Sequence, residues 1–111
     1  MTLESRIELI KAVHQKTVEE KLNWEVGPTS NSFYVKIGEN AISVREIKDD
    51  YIIQLFNSDG EIVEEVADPE FSAAGYSTAF TLLRELFSMA KRNAYGSDRV
   101  VSNILSDLNN I

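Results

Sequence analysis

From Phe33 to Val66 the apolar side chains recur at every second position, in four runs separated by three short turns. No other feature constrains the fold as tightly. Alternation at a period of two sets one face of each run against a core and the other toward water, which describes half-buried strands. Turns this short leave consecutive strands one route, back alongside each other and antiparallel. Phe33, Val35 and Ile37 alternate with Tyr34 and Lys36 in the first run, and beyond Gly38-Glu39-Asn40 the residues Ile42 and Val44 continue the face. After the turn at Lys48-Asp49-Asp50 come Tyr51, Ile53 and Leu55, with Ile52 and Phe56 pointing the other way. Apolar on both sides, this third run reads as a central strand or one covered on both faces. Asn57-Ser58-Asp59-Gly60 is the strongest turn signal, because Asp-Gly accepts the positive φ angles of a tight hairpin. Ile62, Val63 and Val66 belong to the fourth strand, and the neighbouring Glu61, Glu64 and Glu65 mark it as an edge, where charge discourages pairing with other chains.

On either side of the meander the apolar period is helical. Residues 3 to about 22 predict an amphipathic helix, with Leu3, Ile7, Ile10, His14, Thr17 and Val18 on one stripe and Leu9 and Val13 on its shoulder. Asn23 to Ser32 is a connector punctuated by Gly27-Pro28. Asp68-Pro69-Glu70 is a helix-start signature, a capping carboxylate followed by proline where a missing N–H is harmless. Gly75 weakens helix propensity in the next few residues, so a short turn is expected before a long helix from about Ser77 to Tyr95. On that helix Tyr76, Phe80, Leu83, Phe87, Ala90 and Ala94 share a face, and Lys91 and Arg92 suit its C-terminal end. Gly96 stops it, Ser97 caps a shorter helix, and Val101, Ile104, Leu105 and Leu108 give that helix its stripe. The expected fold is one α+β domain spanning residues 1–111. It has an N-terminal helix, a four-stranded antiparallel meander, and a long and a short C-terminal helix packed on one face of the sheet.

With 43% hydrophobic and 26% charged residues the composition is that of an ordinary folded domain. There is no cysteine, which removes disulfides, thiolate metal sites and a cysteine nucleophile, and a reducing compartment is the natural expectation. The opening residues MTLESRIELIKAVHQ carry charges every few positions, unlike a signal peptide, and no apolar run reaches membrane-spanning length. A cytoplasmic setting without membrane contact is expected.

The charge is unevenly placed. Glu46 to Glu70 holds nine carboxylates and one base, Lys48, a net of −8, while the rest of the chain sums to +1. The whole net charge of −7 therefore originates in the last two strands and their turns. One reading is a solvated sheet edge kept soluble and unpaired by its carboxylates. The other is a surface of Asp59, Glu61, Glu64, Glu65, Asp68 and Glu70 that meets a basic partner, with association hastened by long-range attraction. The same sign argues against direct nucleic-acid binding.

Chemistry-bearing sets are sparse. His14 is the single histidine and lies on an apolar stripe, so it reads first as a core or interface residue. Asp49-Asp50 and Glu64-Glu65 are adjacent pairs, and neighbours on a strand point to opposite faces, so neither pair converges on a substrate. Asp59, Glu61 and the Asn57 carbonyl lack the calcium-loop pattern, and the five glycines form no phosphate loop. No catalytic residue, metal or cofactor is assigned. Leu82 and Met89 lie seven residues apart, off the main stripe of the long helix. Either the terminal helix covers them or they form a face for a partner or a second copy. Trp24 reads as a lid on the core or as an interface anchor.

Trp24, the FYVKIG and NAISV strands, YIIQLFNSDGEIV and LLRELFSMAKRNAYGSDRVVSNILSDL together resemble a recurrent kind of small bacterial protein of uncharacterised role. The resemblance spans nearly the whole chain and rests on packing motifs. It implies the helix, meander, helix–helix fold and a bacterial setting, and it carries no activity. Three functions are expected to compete. The first is a non-enzymatic interaction module, a small acidic regulator, inhibitor or immunity-type protein that engages a basic surface. The second is a small-molecule binder or minimal enzyme with a pocket of His14, Trp24, Tyr34 and Tyr51 between sheet and helices. The third is a structural homodimer.

Overall fold

The computed structural model describes residues 2–67, 69, 75 and 78–111. Asp68 and Glu70 of the expected helix start, and Tyr76 of the expected stripe, lie outside them. The first helix, α1 (Leu3–Val18), begins where the Thr2 hydroxyl accepts a hydrogen bond from the Ser5 N–H at 3.1 Å, the usual way to satisfy an orphan donor of the first turn. It stops four residues short of the expected end. Glu20 adopts a left-handed φ of 59°, and the Lys21 and Glu20 N–H groups turn back to the carbonyls of Lys16 and Thr17, closing the helix in a Schellman turn.

The sheet has five strands in sequential order, all antiparallel: β1 (Glu25–Val26), β2 (Ser32–Ile37), β3 (Asn40–Ile47), β4 (Asp50–Phe56) and β5 (Ile62–Ala67). Four were expected; the fifth is the two-residue β1, paired with Phe33 and Tyr34. Its return loop requires glycine, because a Cβ at Gly27 would stand 2.3 Å from the Ser32 hydroxyl. The β3–β4 hairpin turns at Lys48 and Asp49, both at positive φ (50° and 70°), which matches the strands' right-handed twist. In the β4–β5 turn the Asn57 side-chain oxygen accepts from the N–H groups of Asp59 and Glu61, both at 3.0 Å, and Gly60 supplies a φ of 80°.

Registered rows decide the core. Phe33, Val44, Ile53 and Val66 lie side by side across β2 to β5 and are all buried. A β-bulge on β5, where Glu64 pairs with Leu55 and Ile62 with Phe56, shifts the alternation and leaves Ile62 and Val63 exposed. Over the buried face lies α2 (Thr78–Tyr95), with Ala79, Leu83, Leu86, Phe87 and Ala90 buried; α1 packs alongside it through Ile7, Ile10 and Val13. Phe33 and Tyr51 meet the Phe87 ring at centroid separations of 5.4 and 5.6 Å. The buried face of α2 is wider than the expected stripe because the helix is gripped from two sides, by the sheet and by α1.

Gly96 (φ 65°, ψ 40°) is the single residue between α2 and the last helix, α3 (Ser97–Asn109). It occupies the cap position expected of Ser97, and no side chain caps α3. The terminal helix is neither short nor packed on the sheet as expected: it runs for 13 residues and none of them is buried. A chain of 111 residues has an expected radius of gyration of about 13 Å when compact; here it is 15.5 Å, with a longest dimension of 55 Å.

Candidate interaction site

The described carboxylates of the acidic segment spread over both faces and both ends of the β4–β5 half of the sheet. Glu64 faces the helices and meets the Arg6 guanidinium at 3.1 Å. Glu65, one residue on, faces the other way and accepts from Gln54 Nε2 at 2.7 Å. Asp49 and Asp50 sit at one end of β4, while Asp59 and Glu61 sit at the other. Glu46 lies opposite Tyr51 in the register, and burial together with a hydrogen bond to that carboxylate pushes the Tyr51 phenol above its ordinary range. The Asn57 side-chain oxygen is spent on the backbone N–H groups of Asp59 and Glu61. Among the described residues no group of three or more acidic or histidine side chains is placed to hold a metal ion.

His14, Trp24, Tyr34 and Tyr51 do not converge on a pocket. Trp24 is 2% exposed and closes the core between the helices, its Nε1–H donating to the Thr17 hydroxyl at 3.1 Å and its backbone N–H to Asn93 Oδ1 at 2.6 Å. His14 Nε2 lies 2.8 Å from Glu85 Oε2, so the histidine bridges α1 to α2. Tyr51 is buried under α2, whereas Tyr34 is on the opposite face of the sheet.

That opposite face carries an open concavity of about 940 Å³ that includes Tyr34, Lys36, Ser43, Arg45, Gln54 and Phe56. Glu25, Tyr34, Ser43, Gln54 and Glu65 are in register across the five strands. Ser43 donates to Gln54 Oε1 at 3.2 Å, Gln54 donates onward to Glu65, and the Glu25 carboxylate, hydrogen-bonded to Tyr34, raises that phenol's pKa. Polar groups that satisfy one another along a row brace the sheet and leave few directed bonds for a ligand.

Leu82 is partly buried against the core, and Met89 is half-buried. Met89 shares a concavity with Thr17, Val18 and Leu22 on one side and Gly96 and Ser97 on the other. Among the described residues the longest run of exposed apolar side chains is on α3. Val100, Val101, Ile104, Leu105 and Leu108 are between 47% and 58% exposed, and Ile111 beyond them is 99% exposed. At 100° per residue Val100, Val101, Ile104, Leu105 and Leu108 span one face of the helix, with Ser102, Asn103, Ser106 and Arg99 on the other. At its base a concavity of about 470 Å³ opens between the ends of α1 and α2, lined in part by Val18, Leu22, Met89 and Asn93. An ion pair of Arg92 with Asp98 at 2.8 Å spans the break between α2 and α3.

No protein-family model, no curated protein and no solved structure matches this chain. No relative therefore lends it a residue role. Among the described residues no helix is long and apolar enough to cross a membrane.

Proposed function

We propose that this chain is a protein-interaction module that docks through α3. One observation carries the reading: a 13-residue helix has a continuous apolar face and not one buried residue. Isolated helices below about 12–15 residues are marginal in water, and folded monomers rarely leave a contiguous apolar strip uncovered. Both difficulties vanish when a partner covers the strip. Burying the exposed half of five Val, Ile and Leu side chains is worth on the order of 5 kcal/mol, comparable with the lower range of association costs. Contact through one such face is accordingly weak and reversible, as suits a regulator. Capture from native lysate tests the reading. Partners retained by the wild-type chain and lost by an Ile104→Asp/Leu105→Asp variant support it; retention of every partner contradicts it.

A second reading has its own support. Asp59, Glu61 and Glu65 are exposed and meet no cation within ion-pair distance among the described residues. Asp59 and Glu61 at the β4–β5 turn, with Glu65 on the outer face of β5, suit a basic partner, in the manner of a small inhibitor or immunity-type protein. Glu61→Lys with Glu65→Lys should then weaken capture most at low salt, where attraction between exposed charges is least screened. Capture that is indifferent to both charge and ionic strength would remove this reading.

A further inference from the structure

We propose that the face of the sheet turned away from the helices binds a small aromatic anion, its carboxylate or phosphate head held by Arg45. The site lies apart from α3 and does not depend on the docking role given to that helix. Register shapes it. On this face β3 presents Ala41, Ser43 and Arg45, with Tyr34 and Lys36 of β2 on one side and Gln54 and Phe56 of β4 on the other. Small side chains on the middle strand between larger ones on its neighbours leave a trough along β3, within the concavity of about 940 Å³. Strands two apart stand about 9.6 Å from each other; that gap admits a ring and not a helix about 10–12 Å across. An extended peptide fits no better, because the main-chain groups of β3 are engaged by β2 and β4 and offer it no hydrogen bonds.

Both ends of the trough are fixed. Ser32 lies opposite Arg45, and its loop is tied by bonds of 2.8 Å from the Gly27 N–H to the Ser32 carbonyl and from the Ser32 hydroxyl to the Thr29 carbonyl. At the other end the Asn57 side-chain oxygen holds the β4–β5 turn. Along the middle, polar groups are spent on one another: Ser43 on Gln54, Gln54 on Glu65 and Tyr34 on Glu25. Arg45 is different. Its Nε is buried with no hydrogen-bond partner, and among the described residues no carboxylate is within ion-pair distance of its guanidinium. A buried donor without an acceptor costs stability and is rare in native folds. A guanidinium left free on a concave surface offers an incoming carboxylate or phosphate charge-assisted, paired hydrogen bonds. The other charged groups of the concavity, Lys36, Glu39 and Asp59, lie toward the turns. Glu39 and Asp59 outnumber Lys36 there, so the anion's head goes to Arg45 and its ring toward Ala41, between Tyr34 and Phe56.

Amide chemical shifts of the full chain, titrated with cinnamate, test the site. Shifts should gather on β2, β3 and β4 around Tyr34, Ser43 and Phe56. Cinnamylamine, nearly the same body with a cationic head, should bind about tenfold more weakly. The tighter of cinnamate and phenyl phosphate identifies the head group that the site takes. Arg45→Met should weaken cinnamate about tenfold. It exchanges an unpartnered buried donor for an apolar chain, so its urea midpoint should equal or exceed that of the wild type. Phe56→Leu should weaken cinnamate and cinnamylamine alike, since it removes ring contact and no charge. Ile104→Asp/Leu105→Asp should bind cinnamate as the wild type does, because it alters only α3. An absence of shifts on this face at millimolar cinnamate, shifts confined to α3, equal affinity for cinnamate and cinnamylamine, or binding indifferent to Arg45→Met would each overturn the site and leave the α3 docking reading untouched. A lowered urea midpoint in Arg45→Met would make Arg45 a structural residue and overturn its role as the anion's holder.

Discussion

Helices α2 and α3 are consecutive, separated by one glycine, and both carry an apolar face at helical spacing. Their fates differ completely. Five residues of α2 are buried between the sheet and α1, and none of α3 is buried at all. Periodicity reports that a helix has a face to cover; it says nothing of whether the cover belongs to the same chain. In α2 the cover comes from strands closed by short turns and from α1, fastened by Trp24 to Thr17 and Asn93. In α3 the one-residue link removes that option, and the apolar face becomes a surface rather than a core.

The widest separation between the two helices should appear in amide hydrogen exchange at low micromolar concentration. Amides in the middle of α2 should exchange only through global unfolding, about 5–15 kcal/mol for a domain of this kind. Those of α3 should exchange with almost no protection. Equal protection would erase the contrast. Next in size is Leu83→Ala, which empties a fully buried position and should cost about 2–5 kcal/mol in urea unfolding; a cost below about 1 kcal/mol would mean that α2 is not the centre of the core. Trp24→Phe should follow at about 1–2 kcal/mol, since it removes the indole donor to Thr17 while keeping most of the ring. A neutral result would show that the indole bond to Thr17 does not fasten Trp24 to α1.

Much of this contrast could not be read from the residues. The four main strands could, because alternation and the Asp59-Gly60 turn are local signals, and so could the opposite facing of Glu64 and Glu65. The Arg6 partner of Glu64 was out of reach, since it lies 58 positions away and depends on how α1 settles on the sheet. Strand β1 is two residues long and has no period to detect. The end of α1 was misplaced because Glu20, not a glycine, takes the left-handed position. Trp24 was legible as a lid and His14 as an interface residue. Their grouping with Tyr34 and Tyr51 failed because which face of a strand meets the helices is a tertiary fact. The exposure of α3 was hidden for the same reason: its stripe looks like that of a buried helix.

The smallest expected effect is alkaline. Burial first, and then the Glu46 hydrogen bond, raise the pKa of Tyr51, so the folded state holds this proton more tightly than the unfolded chain does. The stabilisation is complete below the unfolded value of about 10 and is lost as pH rises through the folded one. Urea midpoints should therefore drop above about pH 10, and Tyr51→Phe should flatten the drop. An unchanged slope in that variant would place the alkaline sensitivity elsewhere, Tyr34 beside Glu25 being the next candidate.

The central claim is that α3 buries its apolar face against none of the described residues of its own chain, and the stability of the isolated monomer tests it most directly. Ile104→Gln/Leu108→Gln, measured by urea unfolding at low micromolar concentration, should lie within about 0.5 kcal/mol of the wild type, as surface substitutions do. A loss above about 2 kcal/mol, the scale of emptied core positions, would show that these side chains already pack against the globule, and the interaction surface assigned to α3 would be part of the core instead.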